Sequence, residues 1–165
     1  LLLASNFESQ PWWETLNLKP FTLKSLGFWL LILAIYLLVH ALFNSVFGVA
    51  PTKFLKSVSG SKDLWIVLMI IALSPVLEEL LFRGYLFKAW RHSGLGLTGT
   101  LLLTSLLFTG AHWGQWHWTL LAPIFLLSII LGLAREKTGS VWMPVILHSI
   151  GNLLSAISLV YIGYQ

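Results

Sequence analysis

The chain has 165 residues, of which 57% are hydrophobic and 10% are charged, and its mean hydropathy is +0.83. A soluble domain carries about 25% charged residues because its whole surface meets water, so this composition excludes an ordinary soluble domain. The absence of cysteine excludes a disulfide framework and a thiolate nucleophile, and the scattered net charge of +4 is typical of loops at a membrane surface rather than of a nucleic-acid-binding stripe.

Residues 1–26 are predicted to form an interfacial segment before the first membrane span. The segment contains two tryptophans and two lysines, which are typical of chain at the level of the lipid headgroups. Because the sequence starts with leucine and shows no secretory-signal pattern, we expect it to be truncated upstream. Residues 27–165 are expected to form one transmembrane helical domain.

Five hydrophobic stretches follow, each near the ~20 residues that a helix needs to cross a bilayer. Backbone groups in lipid must be satisfied inside helices or closed barrels, and no alternating strand pattern is present. We therefore predict an all-α, polytopic transmembrane bundle of about five spans with a polar cavity inside the membrane. The fourth stretch is short and has Pro123 near its start. The stretches are residues 27–47, 64–87, 95–112, 120–134 and 141–161.

Basic residues in the loops predict the orientation of the chain. If the N-terminal segment is cytoplasmic, that side holds six basic residues and the opposite side holds three, which favours a cytoplasmic N-terminus. Arg83 is left out because it lies inside a hydrophobic stretch. The six are Lys19, Lys24, Lys88, Arg91, Arg135 and Lys137, and the three are Lys53, Lys56 and Lys62 in the loop 51–62.

Two of the six acidic residues, Glu78 and Glu79, lie inside the second hydrophobic stretch. A charge near the bilayer centre costs about 2.5–3.5 kcal/mol on insertion scales, so such residues are usually paired and functional. Glu79 and Arg83 are four residues apart with the glutamate first, which predicts an ion pair along one helix face. The alternative is that this pair only holds helices together.

Glu78 is the better candidate for a reactive group. It is rotated by about 100° from Glu79 and has no basic residue three or four positions further on. A carboxylate left without a cation suits a general base or acid, whereas the alternative is that it caps a helix end. Pro75 is expected to interrupt the backbone hydrogen bonds and to open a water-accessible notch just before Glu78.

Two histidines and an asparagine would complete a hydrolytic site. His112 ends the third stretch, and His148 and Asn152 lie four residues apart, hence on one face, in the fifth. With Glu78 they would supply a water activator, a second proton carrier and donors for an oxyanion. Taken singly, each histidine is more often a packing residue. The remaining histidines are interpreted as packing, surface and interfacial residues, in the order His40, His92 and His117.

Helix geometry supports only part of this cluster. At about 1.5 Å per residue, Glu78 lies ~22 Å and His112 ~28 Å from a turn near Ser93. His148 lies only ~12 Å from a turn near Ser140, which is a mismatch unless the turns sit at different depths.

Three patterns in this order resemble the signature motifs of the CAAX protease and bacteriocin-processing family, also called the Abi family. They are Glu78-Glu79-x-x-x-Arg83, Phe108-x-x-x-His112 and His148-x-x-x-Asn152. The resemblance covers about residues 64–152. It implies an intramembrane endopeptidase related to the type II enzymes that remove the last three residues of prenylated CAAX proteins.

The resemblance also implies a role for each motif residue. Glu78 would activate water together with His112. His148 and Asn152 would stabilise the tetrahedral oxyanion. Glu79 and Arg83 would organise the site.

The cofactor stays open at this point. Members of the family are often described as metalloproteases, while a metal-free glutamate mechanism has also been proposed. A catalytic zinc usually has three protein ligands and an open position, which Glu78, His112 and His148 would supply. A glutamate that binds the metal cannot easily also be the free base, so we favour catalysis with no required cofactor and keep zinc as the alternative.

The leading prediction is therefore hydrolysis of a peptide bond in a membrane-bound or lipidated protein, by a multi-pass protein of a prokaryotic inner or plastid-type membrane. The alternative is a non-catalytic binding, assembly or bacteriocin-immunity factor that keeps the fold, in which Glu78→Gln would preserve function. A proton-coupled transporter is disfavoured because no repeated half is visible. The expected partners are membrane lipids and the substrate or a membrane complex, with no nucleic acid.

Overall fold

The computed structural model describes residues 11–47, 64–115 and 117–161. Its regular elements in these ranges are all helices, as the sequence predicts. The loop 51–62 and its three lysines lie outside the described residues. The helices are α1 (Trp12–Thr15), α2 (Leu23–Phe47), α3 (residues 64–91), α4 (Gly96–Ala111), α5 (Leu121–Thr138, entered through a 3-10 turn at Trp118–Leu120) and α6 (Trp142–Tyr161).

Two helical segments are long and apolar enough to cross a bilayer, namely Leu23–Phe47 and Trp118–Thr138. The apolar segments Gly96–Ala111 and Trp142–Ile157 are shorter. Many large apolar side chains of α2 point away from the rest of the protein, which suits contact with lipid; they include Phe28, Leu31, Ile35, Leu38, Val39 and Leu42. A helical membrane protein is thus supported, and the number of five spans stays a prediction.

The fourth hydrophobic stretch forms a longer helix than the sequence predicted. Pro123 lies in the first turn of α5, where a missing N–H breaks no hydrogen bond, and the helix ends only at Gly139, whose φ is +66°. Arg135 therefore lies in the last turn of the helix, and the orientation for which it was counted stays a prediction. It is 8% exposed, and its Nε donates a 3.2 Å hydrogen bond to the carbonyl of Arg83.

The helix α3 alternates between α-helical and π-helical turns. Its two π-helical segments stand on either side of the short α-helical segment that carries both glutamates. Such wider turns occur frequently at functional sites because they displace backbone groups from the regular ladder. The consecutive segments are Leu64–Leu68 (α), Met69–Leu73 (π), Ser74–Glu79 (α), Leu80–Leu86 (π) and Phe87–Arg91 (α).

Pro75 follows directly after the first π-helical segment. The amide of Ser74 bonds to the carbonyl of Met69, five residues earlier, rather than to that of Ile70. Pro75 has no N–H to donate. The backbone interruption that the sequence predicts at Pro75 therefore takes the form of a wider helical turn.

The hydrophobic core lies between α2, α5 and α6. Tyr36 of α2 also donates a 3.2 Å hydrogen bond from its hydroxyl to the carbonyl of Pro123 in α5. The α4–α5 contact is close at Gly132, where a Cβ atom would lie 2.6 Å from Cδ2 of Leu101. The buried core residues are Trp29, Leu33, Tyr36, Leu131, Ala134, Met143 and Leu147.

The turn between α5 and α6 is buried beneath the N-terminal segment. Ser140 and Val141 are both 0% exposed. The hydroxyl of Ser140 donates to the carbonyl of Lys19, and the amide of Val141 donates to that of Asn17 at 3.1 Å. α6 therefore begins at a buried turn rather than at the surface of the protein.

Candidate active site

Three helices bring their ionisable residues together at one point. Glu78 comes from the middle of α3, His112 directly follows α4, and His148 lies in α6. Oε2 of Glu78 is 3.8 Å from Nε2 of His112 and 4.0 Å from Nε2 of His148. The mismatch in depth that helix geometry suggested for His148 is absent.

Glu79 connects Arg83 on its own helix to His148 on α6. Its Oε1 accepts a hydrogen bond from Nη1 of Arg83 at 2.8 Å, which is the ion pair predicted from their spacing. The same oxygen accepts from Nδ1 of His148, also at 2.8 Å. The side chains of Glu79 and Arg83 are 0% and 1% exposed. A buried charge is tolerated only when it is paired and hydrogen-bonded, and here both charges meet that condition.

Two serines that the sequence analysis did not single out complete the surroundings of Arg83. Its Nη2 donates to the carbonyl of Ser128 at 2.9 Å and to the hydroxyl of Ser128 at 2.7 Å. That hydroxyl donates in turn to Ser105 at 3.0 Å. The guanidinium thereby joins α3 to α5 and α4. The available signal was a polar residue in an apolar run, Leu126-Leu127-Ser128-Ile129-Ile130.

The carboxylate of Glu78 accepts fewer hydrogen bonds than that of Glu79. The hydroxyl of Ser74, one turn earlier, donates to Oε1 of Glu78. Oε2 is buried and has no hydrogen-bond partner. Oε2 of Glu79 is unbonded as well, but that carboxylate already binds two cationic or ring N–H donors. The hydrogen bond from Ser74 fixes the direction of the Glu78 carboxylate, and its Oε2 is left available as an acceptor.

The hydrogen-bond partners of the two histidines assign their ring protons. Nδ1 of His112 lies 2.8 Å from the carbonyl of Phe108. A carbonyl only accepts, so this Nδ1 carries the hydrogen. Nδ1 of His148 carries one as well, because it faces the carboxylate of Glu79. In their neutral forms both rings therefore turn the lone pair of Nε2 toward Glu78.

The ring of Phe108 packs against charged and aromatic side chains of the site. Cζ of Arg83 lies 4.6 Å from its centroid, a cation–π contact. The rings of His112 and His148 lie 4.7 Å and 5.7 Å from it. Phe108 thus packs against the guanidinium and against both imidazoles, which restricts their movement.

Asn152 is not drawn into the cluster around Glu78. It lies one turn beyond His148 in α6, and its Nδ2 donates a 2.9 Å hydrogen bond to the carbonyl of Ile70. Of the six predicted site residues, the cluster holds Glu78, Glu79, Arg83, His112 and His148.

The three candidate metal ligands do not match a zinc site. Two ligands bound to zinc at about 2.1 Å in tetrahedral geometry are about 3.4 Å apart, whereas Nε2 of each histidine lies 3.8 Å or 4.0 Å from Oε2 of Glu78. In the part of the chain that the structure describes, no group of three such side chains is spaced to hold a metal ion. We therefore derive no step through a metal.

Residues 60–154 match the family described as type II CAAX prenyl endopeptidase, Rce1-like. The chain belongs to this family. The matched range is more than half of the chain and contains all six predicted site residues. The resemblance inferred from the three motifs is confirmed, and protease activity and membrane localisation are properties of the family.

The matches to individual curated proteins cover less of the chain than the family does. A protein of Escherichia coli described as an uncharacterized 24.3 kDa protein is 40% identical over 84 residues, which are 50% of this chain and 38% of that protein. The low affinity potassium transport system protein Kup of Yersinia pestis, in strains Pestoides F and Antiqua, is 42% identical over 38 residues. These are 23% of this chain and 6% of Kup. The chain thus spans less than half the length of these relatives. No solved structure matches.

We expect the Arg83 charge to be far more important for stability than an exposed charge of the same type. Arg83→Met leaves Glu79 buried without its cation and should cost about 3–5 kcal/mol. Arg91→Met is the matched control, because Arg91 pairs with Glu136 while 33% exposed, and exposed pairs contribute little. Unfolding of both variants in detergent micelles measures the difference. Equal losses would show that Glu79 does not depend on Arg83.

Proposed function

We propose that the chain is an intramembrane endopeptidase that hydrolyses a peptide bond in a membrane-bound or lipidated protein. The proposal rests on one observation, the buried and unbonded Oε2 of Glu78 facing Nε2 of His112 at 3.8 Å and Nε2 of His148 at 4.0 Å. A binding or assembly factor has no need of an unpaired acceptor between two imidazoles. Family membership supports the same chemistry.

In the proposed reaction, Glu78 and His112 hold the attacking water. Their facing acceptor atoms are close enough for one water molecule to donate one hydrogen to each. This directs the water oxygen at the carbonyl carbon of the substrate. As the carbon–oxygen bond forms, Glu78 takes the proton, acting as general base.

His148 is the donor for the oxyanion in this proposal. Once protonated it carries a hydrogen on Nε2, and the carboxylate of Glu79 at Nδ1 stabilises the imidazolium. A positioned donor of this kind stabilises the negative charge of the tetrahedral intermediate. Glu78 then returns its proton to the leaving nitrogen, the new carboxyl group gives the second proton of the water to the same nitrogen, and the products are a carboxylate and an ammonium group. The family resemblance gives Asn152 a share in this step, but its amide is bonded to Ile70.

The proposed setting is a multi-pass protein in a prokaryotic inner membrane. The two long apolar helices support insertion into a membrane, and relatives in Escherichia coli and Yersinia pestis support the prokaryotic assignment. A substrate that is itself membrane-bound or lipidated reaches a site between helices by moving within the bilayer. Cleavage near the C-terminus of such a substrate would match the activity in the description of the family.

Loss of the Glu78 carboxylate or of the His112 ring should abolish proteolysis without unfolding the protein. We expect Glu78→Gln and His112→Ala to lower the rate by at least about 100-fold, the usual range for a removed general base. Glu136→Gln is the control, since Glu136 pairs with Arg91 outside the cluster. The measurement compares protein termini in membranes that contain each variant. If Glu78→Gln gives the same set of termini as the unchanged protein, the chain acts as a non-catalytic factor.

A second expectation concerns metal. Because the site does not match tetrahedral zinc spacing, adding zinc to metal-free protein should leave proteolysis unchanged. The rate is measured after removal of metal with a chelator and again after stoichiometric zinc. Activity that appears only with stoichiometric zinc would replace direct glutamate catalysis with a metal mechanism.

A further inference from the structure

Arg135 is a buried cation whose guanidinium group is only partly hydrogen-bonded. The side chain is 8% exposed. Its Nε donates to the carbonyl of Arg83 at 3.2 Å, and its Cζ lies 5.3 Å from the ring centroid of Phe87. The outer nitrogens, Nη1 and Nη2, donate no hydrogen bond to a residue that the structure describes. Because a buried charge is tolerated only when it is paired and hydrogen-bonded, these two nitrogens indicate a ligand with acceptor oxygens.

The neighbouring carboxylate does not act as this ligand. Glu136 follows Arg135 in the chain, but its Oε1 accepts two hydrogen bonds from Arg91, at 2.9 Å and 2.8 Å. Within the described ranges Arg135 has no ion pair of its own. The pair of outer nitrogens therefore stays available to an oxyanion from outside the described residues.

Two lysines add positive charge beside this guanidinium. Lys88 lies near the end of α3, just after the second hydrophobic stretch. Partial burial lowers the pKa of Lys88, and the positive charges of Arg135 and Lys19 lower it further, whereas Glu14 raises it. Charges at a protein surface affect each other in this way only when they are close neighbours. We call Lys19, Lys88 and Arg135 the cationic cluster; an added anion would relieve the repulsion within it.

The cationic cluster lies at the level expected for lipid headgroups. Arg135 is three residues from the end of α5 at Thr138, which is about 4.5 Å along the helix. Lys19 belongs to the N-terminal segment that covers the turn between α5 and α6, where the hydroxyl of Ser140 donates to the Lys19 carbonyl. Trp13 of the same segment is 50% exposed, and tryptophan is enriched where a membrane meets water. Lipid phosphate groups occupy that same level.

We propose that the cationic cluster binds the phosphate group of an anionic membrane lipid. The two outer nitrogens of Arg135 match two oxygens of one phosphate. Lys88 and Lys19 attract a headgroup with a net negative charge and disfavour a zwitterionic headgroup, which carries a cation of its own. A phosphatidylglycerol headgroup has the required charge. This binding does not depend on the proposed proteolysis.

The first test uses the unchanged protein. Native mass spectrometry is carried out from micelles that contain equal amounts of phosphatidylglycerol and phosphatidylcholine with the same acyl chains. Phosphatidylglycerol should be retained at least about tenfold more, because its phosphate gains charge-assisted hydrogen bonds without a competing cation. Equal retention of the two lipids would overturn the proposal.

Inorganic phosphate distinguishes a lipid site from a site for a soluble anion. Added at the concentration of the lipid, it should leave phosphatidylglycerol bound, because the acyl chains contribute to the binding of the lipid alone. Displacement of the lipid by inorganic phosphate would show a site for a soluble anion and would overturn the assignment to a lipid.

The second test removes the guanidinium. Arg135→Met should lower the retention of phosphatidylglycerol about tenfold, since the charge-assisted hydrogen bonds are lost. Lys137→Met is the matched control, because Lys137 lies in the same last turn of α5 but is exposed. It should change retention less than about twofold, as expected for a solvent-screened charge. Equal losses in the two variants would show a general attraction to basic residues and would overturn the proposal.

Arg135→Lys keeps the positive charge and decides the question if Arg135→Met does not fold. A lysine cannot bind two oxygens of one phosphate with the geometry of a guanidinium. This variant should therefore retain less phosphatidylglycerol than the unchanged protein, measured at the same lipid concentration. Unchanged retention in Arg135→Lys would overturn the assignment of the phosphate to the outer nitrogens of Arg135.

Discussion

One carboxylate oxygen, Oε1 of Glu79, joins the helices on which the site depends. It binds the guanidinium of Arg83 within α3 and the imidazole of His148 on α6, each at 2.8 Å. Arg83 extends the connection to Ser128 on α5. In an interior with few polar groups each of these hydrogen bonds is strong, and the loss of one partner strongly destabilises the folded protein. The position of His148 is therefore fixed before any substrate arrives.

The second constraint is that backbone carbonyls must find donors inside the protein. Each π-helical segment of α3 diverts an amide from its usual acceptor, and a neighbouring helix supplies the replacement. The amide of Phe87 bonds to Phe82 rather than to Arg83, and Arg135 of α5 donates to the Arg83 carbonyl. At the first segment, Asn152 of α6 does the same for Ile70. The irregular turns of α3 thus accept hydrogen bonds from two neighbouring helices, one on each side of the glutamates.

These two constraints separate the roles of the adjacent glutamates. Oε1 of Glu79 accepts from both the guanidinium of Arg83 and a ring N–H of His148, so this oxygen is committed to structure. Glu78 receives only the Ser74 hydroxyl on one oxygen and keeps the other unbonded. Adjacent residues of a helix point in directions about 100° apart. The carboxylate of Glu79 therefore meets Arg83, whereas that of Glu78 faces Nε2 of both histidines.

The sequence was sufficient to predict the helical class, the Glu79–Arg83 pair and, apart from Asn152, the residues of the cluster. These follow from composition, from the i, i+4 rule and from three motifs. The approach of His148 to Glu78 was not predictable from distances along each helix, because it depends on how α6 packs against α3. The buried contact of Arg135 was not predicted either, because its position at the end of an apolar run does not show that the Arg83 carbonyl is its acceptor.

The bond of Asn152 was missed for a related reason. The spacing of His148 and Asn152 shows that they share a helix face, but it does not show which atom on another helix that face meets. The freed carbonyl of Ile70 exists only because α3 widens before Pro75. A proline in a sequence predicts an interrupted ladder; which carbonyl is released and what replaces its donor are decided by packing between helices.

The source of the oxygen atom in the product tests most directly whether Glu78 acts on water. A single turnover in H₂¹⁸O should place one ¹⁸O atom in the newly formed carboxylate of the product and none in the side chain of Glu78. Mass spectrometry of the product and of the enzyme peptide that contains Glu78 measures both. Label in the Glu78 carboxylate would show a covalent intermediate, and a product without label would show that water does not attack the peptide bond; either result would contradict the account.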